Sequence, residues 1–305
     1  MGKIKVAVVG YGNVGSCAVE AVLQEPDMEL TGVVELADLG KRKSTNGKCS
    51  RLPDVKFAKD ISEIKDVDVA IVSCPSRSVK ATVSRILQMG INTVDSFDVH
   101  PEIPSMRREL NAVAKAFNVV SIISAGWDPG IDSVIRGWFT VMAPKGITHT
   151  NYGPGMSMGH TCAVKSINGV KDALSITVPA GMGIHRRMVY VELEPGADFH
   201  QIEQAIKHDP YFIEDRTYVY EVADVNNLID VGHGVLMERR GVSGISHNQQ
   251  MRFEMRINNP AVTSQVMVSA ARAAIHQKPG CYTMIEIPVI DFLSGEVEDF
   301  VTKLV

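Results

Sequence analysis

Two kinds of hydrophobic pattern divide the chain. Up to about residue 125, short apolar runs such as IKVAVVG alternate with segments such as SVKATVSRILQMG, whose apolar positions recur at helical spacing. Continuous apolar runs are typical of strands buried in a parallel sheet, and the helices between them cover its two faces. The pattern predicts a doubly wound α/β domain over residues 1–125, with strands in IKVAVVG, ELTGVVE, VKFA, DVAIVS, INTVDS and NVVSIIS.

The pattern changes from about residue 148. The segments DALSITVP, RRMVYVELE, RTYVYEVAD and QQMRFEMRIN alternate apolar and polar side chains. Such alternation favours an antiparallel sheet with one face in water. Helices are predicted in DFHQIEQAIKHD and PAVTSQVMVSAARAAIHQ. We therefore expect a second, α+β domain with a mixed or antiparallel sheet over residues 126–259, and C-terminal helices, roughly 260–305, that pack on the first domain.

Composition narrows the class of protein. The 305 residues are 45% hydrophobic and 22% charged, and their net charge of −4 favours neither nucleic acid nor an anionic membrane as partner. No apolar run approaches the roughly 20 residues of a membrane span, and MGKIKVAVVGYG is typical of a first strand rather than a signal peptide. Five scattered cysteines suggest no disulfide framework, and nine histidines form no H-x-x-x-H pair. We expect no metal site and a cytoplasmic location.

A glycine-rich segment follows the first predicted strand. VVGYGNVG places Gly10, Gly12 and Gly15 in the G-x-G-x-x-G spacing, with Asn13 and Val14 opening the next helix. In this motif the first glycine permits a tight turn, the second lets a pyrophosphate approach the backbone, and the third packs helix on sheet. The alternative is a plain strand–helix turn. Because a strand precedes the motif and a helix follows it, we predict a Rossmann-type dinucleotide site.

The second predicted strand ends in an acid. Glu35 follows Gly15 by twenty residues, where a carboxylate accepts hydrogen bonds from the adenosine ribose and repels a 2′-phosphate. By this rule alone the cofactor is NAD. The basic run Lys41–Lys43 comes next and is either a solvated loop or a phosphate contact.

A segment of small residues follows the fourth strand. SCPSRS, residues 73–78, contributes Ser73, Cys74, Pro75 and Arg77 to the predicted cofactor site, because Rossmann ligands lie outside the carboxyl ends of the strands. For Arg77 the alternative is a surface position in the first turn of the following helix.

Acids follow the fifth and sixth strands. TVDSFDVHPE supplies Asp95 and Asp98, and SAGWDPG supplies Trp127 and Asp128. We expect both segments to open onto the cofactor crevice. Paired carboxylates suit an ammonium-bearing substrate and proton transfer as an amine is oxidised, and an indole gives an apolar wall. The alternative is a core tryptophan and a helix start, with Asp128 as N-cap and Pro129 as first helical residue.

The second half supplies groups that suit a carboxylate. TNYGPGMSMGH is rich in glycine and methionine and is too irregular in pattern to be expected in the core. Arg187 lies near a strand start, His233 lies between two glycines, and Asn258 and Asn259 precede a helix. An arginine with imidazole and amide groups can bind a carboxylate. Each residue also has an ordinary structural explanation as a surface arginine, a loop histidine or a helix cap.

These stretches together resemble the meso-diaminopimelate dehydrogenase family. The likeness covers nearly the whole chain, through VAVVGYGNVG, TVDSFDVH, SAGWDPG, NYGPGMSMGH, GHG, RINNPA and IEIPVIDFL. AGWDPG followed by GPG-x-S-x-GH is the specific part. The short connection TVPAGMGIHRR resembles the compact branch of the family, which tolerates other 2-keto acids in reductive amination.

The resemblance implies a reaction and an assembly. The reaction is reversible NADP-dependent oxidative deamination of the D-centre of meso-2,6-diaminopimelate to L-2-amino-6-oxopimelate, which cyclises to tetrahydrodipicolinate, and ammonia. Its reverse is the reductive amination of 2-keto acids to D-amino acids. The resemblance also implies a homodimer, a dimerisation and substrate-binding region in residues 126–259, and a role in lysine or cell-wall metabolism.

Residue roles are carried over by matching motif. The resemblance implies that Asp98 and Asp128 hold the D-centre amine, with Trp127 beside it. It also implies that three residues form the wall of the site: Tyr152, Met158 and Gly159. Four more are implied to bind the distal L-centre or its carboxylate: Thr177, Arg187, His233 and Asn259.

The chain departs from the family at the end of the second strand. Relatives usually carry an arginine pair for the 2′-phosphate where this chain has Glu35 and Leu36. Since the family favours NADP and the acid favours NAD, we expect NADP, NAD or dual use.

Three different functions compete with this interpretation. A sugar or polyol dehydrogenase usually ends its fifth strand in Glu-Lys-Pro, whereas this strand ends in Asp-Ser-Phe-Asp. A broad-range D-amino acid dehydrogenase would use the same scaffold on simpler substrates. A non-catalytic nucleotide-binding regulator would bind the cofactor without turnover.

Overall fold

The computed structural model describes residues 2–35, 55–228 and 232–305. The chain divides into two compact units, Met1–Val134 with Pro260–Val305, and Ile135–Asn259. This division falls at residue 134, whereas the sequence pattern changes nearer residue 125. Within the described ranges, none of the helices has the length and apolar character that crossing a membrane requires.

The elements follow one another in the order that the hydrophobic pattern suggests, with additions in the second half. The strands are β1 (Ile4–Val9), β2 (Met28–Val34), β3 (Phe57–Ala58), β4 (Val69–Val72), β5 (Asn92–Asp95), β6 (Val120–Ile122), β7 (Lys145–Tyr152), β8 (Gly155–Met156), β9 (Val170–Gly181), β10 (Ile184–Leu193), β11 (Arg216–Glu221), β12 (Gly232–Ser243), β13 (Ser246–Asn258) and β14 (Gly280–Tyr282). The α-helices are α1 (Asn13–Gln24), α2 (Ser76–Gln88), α3 (Ile103–Ala116), α4 (Ile131–Met142), α5 (Met158–Lys165), α6 (Phe199–His208), α7 (Asn259–Ala274) and α8 (Val297–Leu304).

The first unit is built on a parallel sheet. Its described strands lie in the order β14-β6-β5-β4-β1-β2-β3, and every pair among them is parallel. Val6 and Val8 of β1 pack in one core cluster with residues of α1 and α7. Ala7 and Val9 pack on the other face with residues of α2 and α3. The predicted doubly wound α/β fold is therefore confirmed.

The strand register aligns the carboxyl ends of the central strands. Val9 of β1 pairs with Val34 of β2 and with Val72 of β4, and Val72 pairs with Asp95 of β5. Since parallel strands end at one edge of their sheet, the segments that follow β1, β2, β4 and β5 leave together. This edge holds the predicted cofactor and amine residues of the first unit.

Among its described residues, the second unit contains two sheets. One has the order β11-β10-β9-β8 and the other the order β13-β12-β7. The pairs β9–β10 and β12–β13 are antiparallel, but β10 and β11 run parallel. A parallel pair needs a crossover, and α6 lies between these two strands in the chain. One of the sheets is therefore mixed rather than wholly antiparallel, and the expectation of an α+β region with a mixed or antiparallel sheet is confirmed.

The sequence pattern did not predict several of the observed elements. The pattern indicates neither β7 nor β12. Of the segment TNYGPGMSMGH, which was expected to lie outside the core, only Asn151 and Gly155 are buried. This segment contains the end of β7, the short strand β8 and the start of α5. Arg239, nearly buried in β12, donates hydrogen bonds to Ala143 O at 2.8 and 2.6 Å and to Thr148 Oγ1 at 2.8 Å. These bonds let a charged residue lie inside the unit.

Candidate active site

The glycine loop lies between β1 and α1. Gly10 has a positive φ of 95°, and a Cβ on it would come within 2.9 Å of Ser73 O. A Cβ on Gly15 would lie 2.0 Å from Gly10 O. The Ser73 hydroxyl fastens the turn by donating to Val9 O at 3.1 Å and Gly10 O at 2.9 Å. Glycine at positions 10 and 15 is thus required by backbone conformation and close packing.

The middle of the loop is open. Among the described residues, a Cβ built on Gly12 would meet no atom within 4 Å, so a ligand can approach the backbone there. Gly12 is the N-cap of α1, which begins with Asn13 and Val14. The backbone N–H groups of a first helical turn have no partner within the helix and favour an anion. The loop therefore fits the pyrophosphate of a dinucleotide.

Glu35 lies beside this loop. Its Oε2 accepts a hydrogen bond from the backbone N–H of Tyr11 at 3.0 Å, and its own N–H donates to Ala58 O at 3.0 Å. Tyr11 is buried and its ring meets that of Phe57 edge-on at 5.3 Å. The carboxylate is thereby fixed next to the glycine turn. Leu36 and Lys41–Lys43, the other residues in the prediction of cofactor preference, lie outside the described residues.

The segment after β4 continues the same edge. Pro75 is the N-cap of α2, and Arg77 lies exposed in the first turn of that helix, as a surface arginine would. Cys74 is half-buried, with its Sγ 4.0 Å from Thr82 Oγ1. Ser73, in contrast, contacts the glycine loop directly. Of these predicted cofactor residues, it is Ser73 that shapes the glycine turn.

Asp98 is held by a residue that the sequence did not single out. The Ser76 hydroxyl, at the first position of α2, donates a 2.6 Å hydrogen bond to Asp98 Oδ1. Asp98 lies three residues beyond the end of β5 and is partly exposed. A hydroxyl that donates to one carboxylate oxygen leaves the other oxygen for a ligand. Ser76 therefore belongs to the candidate site.

Asp95 does not open onto the crevice as expected. It is fully buried, and its Oδ1 accepts the backbone N–H groups of Phe97 at 2.9 Å and Ser124 at 3.1 Å. Burial raises the pKa of Asp95 to about 6, against the two hydrogen bonds that lower it. The last residue of β5 still points into the protein, and only the chain beyond it emerges. Of the two acids in this segment, Asp98 alone is a candidate ligand.

A closed turn carries Trp127 and Asp128. Gly126 N–H donates to Pro129 O, Ile131 N–H to Gly126 O, and the chain then enters α4. Trp127 is 5% exposed, and the Asp128 side chain is 13% exposed with its Oδ2 4.0 Å from His100 Nε2. The helix begins at Ile131, so Asp128 is not its N-cap and Pro129 is not its first residue, as the alternative interpretation required. The turn places both side chains ahead of the helix.

In the second unit, an arginine fork lies across β9 and β10. Arg187 pairs in register with Thr177 and donates to its hydroxyl through Nη1. Its Nε donates to Asp215 Oδ2 at 2.6 Å, and both side chains of this ion pair are mostly buried. The second amino nitrogen, Nη2, makes no hydrogen bond within the described residues. Asp215, which the sequence did not indicate, therefore fixes the guanidinium while one nitrogen stays available to an anion.

Three imidazoles lie near this arginine. Burial, and next the Arg187 charge, lower the pKa of His160 to about 3. Burial and Arg187 also lower the pKa of His185. For His233 burial lowers the pKa most, Arg187 and His185 lower it further, and a hydrogen bond with the Gly155 backbone opposes them. At neutral pH these rings are uncharged, so they act as hydrogen-bonding groups rather than as cations.

The remaining predicted residues of the second unit gather around the same strands. Tyr152 N–H donates to His185 Nε2 at 2.7 Å, and Arg136 Nη2 donates to the Tyr152 hydroxyl at 3.2 Å. Met158 and Gly159 open α5. Asn259 opens α7, directly after the residue that pairs with Gly232 of β12. The cluster thus combines hydroxyl, imidazole and guanidinium groups of the predicted residues. It also contains two residues that were not predicted, His185 and Asp215.

The fold and these groups define a class. A Rossmann-type unit with a dinucleotide loop, followed by an α+β unit with a polar cluster, is typical of nicotinamide-dependent oxidoreductases. Residues 4–95 match the model of the oxidoreductase family with an NAD-binding Rossmann fold. Residues 126–184 match the model of the diaminopimelic acid dehydrogenase C-terminal domain.

Individual relatives narrow the class to a family. The chain is 55% identical over 305 residues, all of both chains, to the meso-diaminopimelate D-dehydrogenase of Bacteroides fragilis. It is 34% identical to that of Ureibacillus thermosphaericus, covering 94% of this chain and 95% of the relative. The solved C. glutamicum DAP dehydrogenase in complex with DAP superposes with a TM-score of 0.87 at 26% identity and covers all of both chains. The chain belongs to the meso-diaminopimelate D-dehydrogenase family, and the predicted resemblance is confirmed.

Proposed function

We propose that the chain catalyses reversible oxidative deamination at the D-centre of meso-2,6-diaminopimelate. Substrate, water and oxidised nicotinamide cofactor give L-2-amino-6-oxopimelate, ammonia, reduced cofactor and a proton. The observation that carries the proposal is the pair of acids, Asp98 and Asp128, on segments that follow adjacent parallel strands of a sheet bearing a dinucleotide loop. The full-length similarity to the B. fragilis relative supports it.

The two acids bind and orient the reacting amine. Carboxylates accept charge-assisted hydrogen bonds from an ammonium group, which fixes the amine and turns the α-hydrogen in one direction. Trp127, closely packed beside Asp128, contributes an apolar wall that excludes water from the reacting carbon. When bound, the nicotinamide ring supplies the acceptor of the hydride. The chain's own contribution is therefore position and electrostatics.

The second unit's cluster is assigned to the distal L-centre. Thr177, Arg187, His233 and Asn259 recognise its carboxylate or amine, and Tyr152, Met158 and Gly159 contribute the wall. Support comes from the Arg187 guanidinium, which Asp215 and Thr177 hold in one orientation. An arginine that is already ordered loses little further entropy when it binds a carboxylate.

The cofactor preference is proposed from Glu35. Its carboxylate accepts a hydrogen bond from the backbone N–H of Tyr11 in the glycine loop. An acid in this place accepts from ribose hydroxyls and repels a 2′-phosphate. We infer use of both NAD(H) and NADP(H), with weaker NADP selectivity than an arginine pair would give.

A homodimer is proposed for the assembly. In the second unit the side chains of Trp138, Val141, Met142, Ile147 and Ile245 are 49–94% exposed. The end of α4 and the β12–β13 turn lie close together, because Ser243 Oγ donates to Met142 O. An exposed apolar surface of this kind suits a second copy of the chain. Light scattering of the Trp138→Glu variant should show a monomer if this surface joins the copies.

The cytoplasmic location stays a prediction. Cys74 and Cys281 are free thiols. Free thiols are consistent with a reducing compartment.

The reaction is tested by mixing the protein with meso-diaminopimelate and NADP or NAD and following the absorbance of the reduced nicotinamide. The D,D and L,L isomers and simple D-amino acids run in parallel. Turnover of the meso isomer supports the proposal. Activity on simple D-amino acids alone would make the protein a broad-range D-amino acid dehydrogenase, and binding of cofactor without turnover would make it a regulator.

A further inference from the structure

A carboxyl group is enclosed at the centre of the first unit's site. Asp95, the last residue of β5, has no exposed surface, and its Oδ2 has no hydrogen-bond partner among the described residues. Burying a carboxyl group with one oxygen unsatisfied costs free energy. A hydrophobic residue would fill this place without that cost, so the acid serves something other than packing.

The hydrogen bonds of Asp95 join two loops. Phe97, whose N–H donates to Oδ1, immediately precedes Asp98. Ser124, the second donor to Oδ1, begins the segment that carries Trp127 and Asp128. The backbone oxygen of Asp95 also accepts from Ala125 N–H at 2.7 Å. One residue thus holds both candidate amine-binding segments through three hydrogen bonds.

The conformation of the second loop depends on such support. Ser124 has a φ of 56°, a left-handed conformation that side chains other than glycine adopt at a cost. Its N–H is aimed at Asp95 in that conformation. The Asp95 contact therefore offsets the strain where the segment turns toward Trp127.

We propose that Asp95 is a positioning residue: its carboxylate sets the placement of Asp98 and of Trp127–Asp128 relative to each other, without touching the substrate. This inference rests on the proposed function, in which those residues bind the amine. A misplacement of about 1 Å in a catalytic group can cost roughly 100-fold in rate.

The test compares three variants. Asp95→Ala removes the acceptor, and Asp95→Asn keeps an oxygen that can accept both N–H groups. Thr93→Val is the matched control, because Thr93 is fully buried in the same strand and its hydroxyl donates to Ser121 Oγ at 3.0 Å, away from the two loops. Asp95→Ser, too short to reach both amides, replaces the alanine variant if that variant does not fold.

Two measurements separate positioning from general stability. Amide hydrogen exchange should accelerate in residues 96–98 and 124–130 of Asp95→Ala, and kcat for meso-diaminopimelate should fall by about tenfold or more while the cofactor Kd stays unchanged. Asp95→Asn should restore slow exchange and turnover, and Thr93→Val should retain both.

Unchanged exchange in Asp95→Ala, or equal losses in Thr93→Val, would overturn the inference. If the unsubstituted protein shows no turnover, the proposed function fails, and the exchange data still decide whether Asp95 holds the loops.

Discussion

The hydroxyl of Ser76 donates a 2.6 Å hydrogen bond to Asp98 Oδ1. Ser76 begins α2, and Asp98 follows the neighbouring strand β5, so the bond joins two segments at the carboxyl edge of the sheet. This hydrogen bond holds one carboxylate oxygen in place and thereby also sets the direction of the second oxygen. The proposed amine ligand is therefore oriented before any substrate arrives.

Replacement of Ser76 by alanine should weaken that orientation. Loss of a hydrogen bond to a charged group costs about 1.5–3 kcal/mol, so we expect kcat/KM for meso-diaminopimelate to fall by roughly tenfold or more. Ser78→Ala is the control, because the Ser78 hydroxyl lies two residues away and donates to Pro75 O instead. Steady-state kinetics of both variants test this prediction. Equal effects in the two variants would mean that Ser76 supports the start of the helix and does not orient Asp98.

Charge reversal at Glu35 should change the cofactor preference. Glu35→Arg replaces repulsion of a 2′-phosphate by attraction, so the ratio of kcat/KM for NADP to that for NAD should rise by about tenfold or more. Glu29→Arg makes the same charge change at an exposed position of β2 and controls for net charge. An unchanged ratio in Glu35→Arg would show that this residue does not meet the ribose.

The first unit was predictable because its strands are continuous apolar runs. All six predicted strands up to residue 125 are present. β7 escaped prediction because KGITHTNY is mostly polar and has a single buried residue, Asn151. The parallel pairing of β10 and β11 could not be predicted from the alternation of apolar and polar residues. Side chains alternate with a period of two in parallel and antiparallel strands alike.

The candidate site was predictable only where a motif carried it. Spacing singled out Gly10, Gly12 and Gly15 as candidates, and position after strands singled out Asp95, Asp98 and Asp128. Supporting residues lie far away in sequence: Ser76 is 22 residues from Asp98, and Asp215 is 28 residues from Arg187. Such partners depend on tertiary contact, which no local pattern encodes. Asp95 was misplaced for a related reason, because one residue decides whether a side chain at a strand end points in or out.

The Arg187 fork should distinguish substrates by their distal carboxylate. Arg187→Lys keeps the charge but cannot reach Thr177 and Asp215 together. We expect KM for meso-diaminopimelate to rise by about tenfold or more, with little change for a simple D-amino acid that lacks a second centre. Arg186→Lys, at the exposed neighbouring position, is the control. Equal losses with both substrates would assign Arg187 to the fold rather than to recognition.

The imidazoles near Arg187, which are partly or fully buried, should make stability depend on pH. The folded-state pKa of His160, about 3, lies below its ordinary 6.5, so the unfolded chain binds the proton more readily. The stabilisation is present above about pH 6.5 and is lost as the pH falls toward 3, by up to about 1.4 kcal/mol per pH unit. The pKa of Asp95 is raised, so protonation of this residue stabilises the folded protein as the pH falls below about 6. This contribution is the same in the parent and in a histidine variant, so it cancels when the two are compared.

His160→Gln should flatten this dependence. Glutamine cannot be protonated, so the difference in free energy of unfolding between parent and variant should shrink as the pH falls from 7.5 to 5. Urea unfolding at three pH values measures it. His247→Gln, at an exposed histidine in β13, is the control for loss of an imidazole side chain. Parallel curves for His160→Gln would mean that His160 titrates in the folded protein as it does in the unfolded chain, in which case its burial in the cluster beside Arg187 would not hold it uncharged.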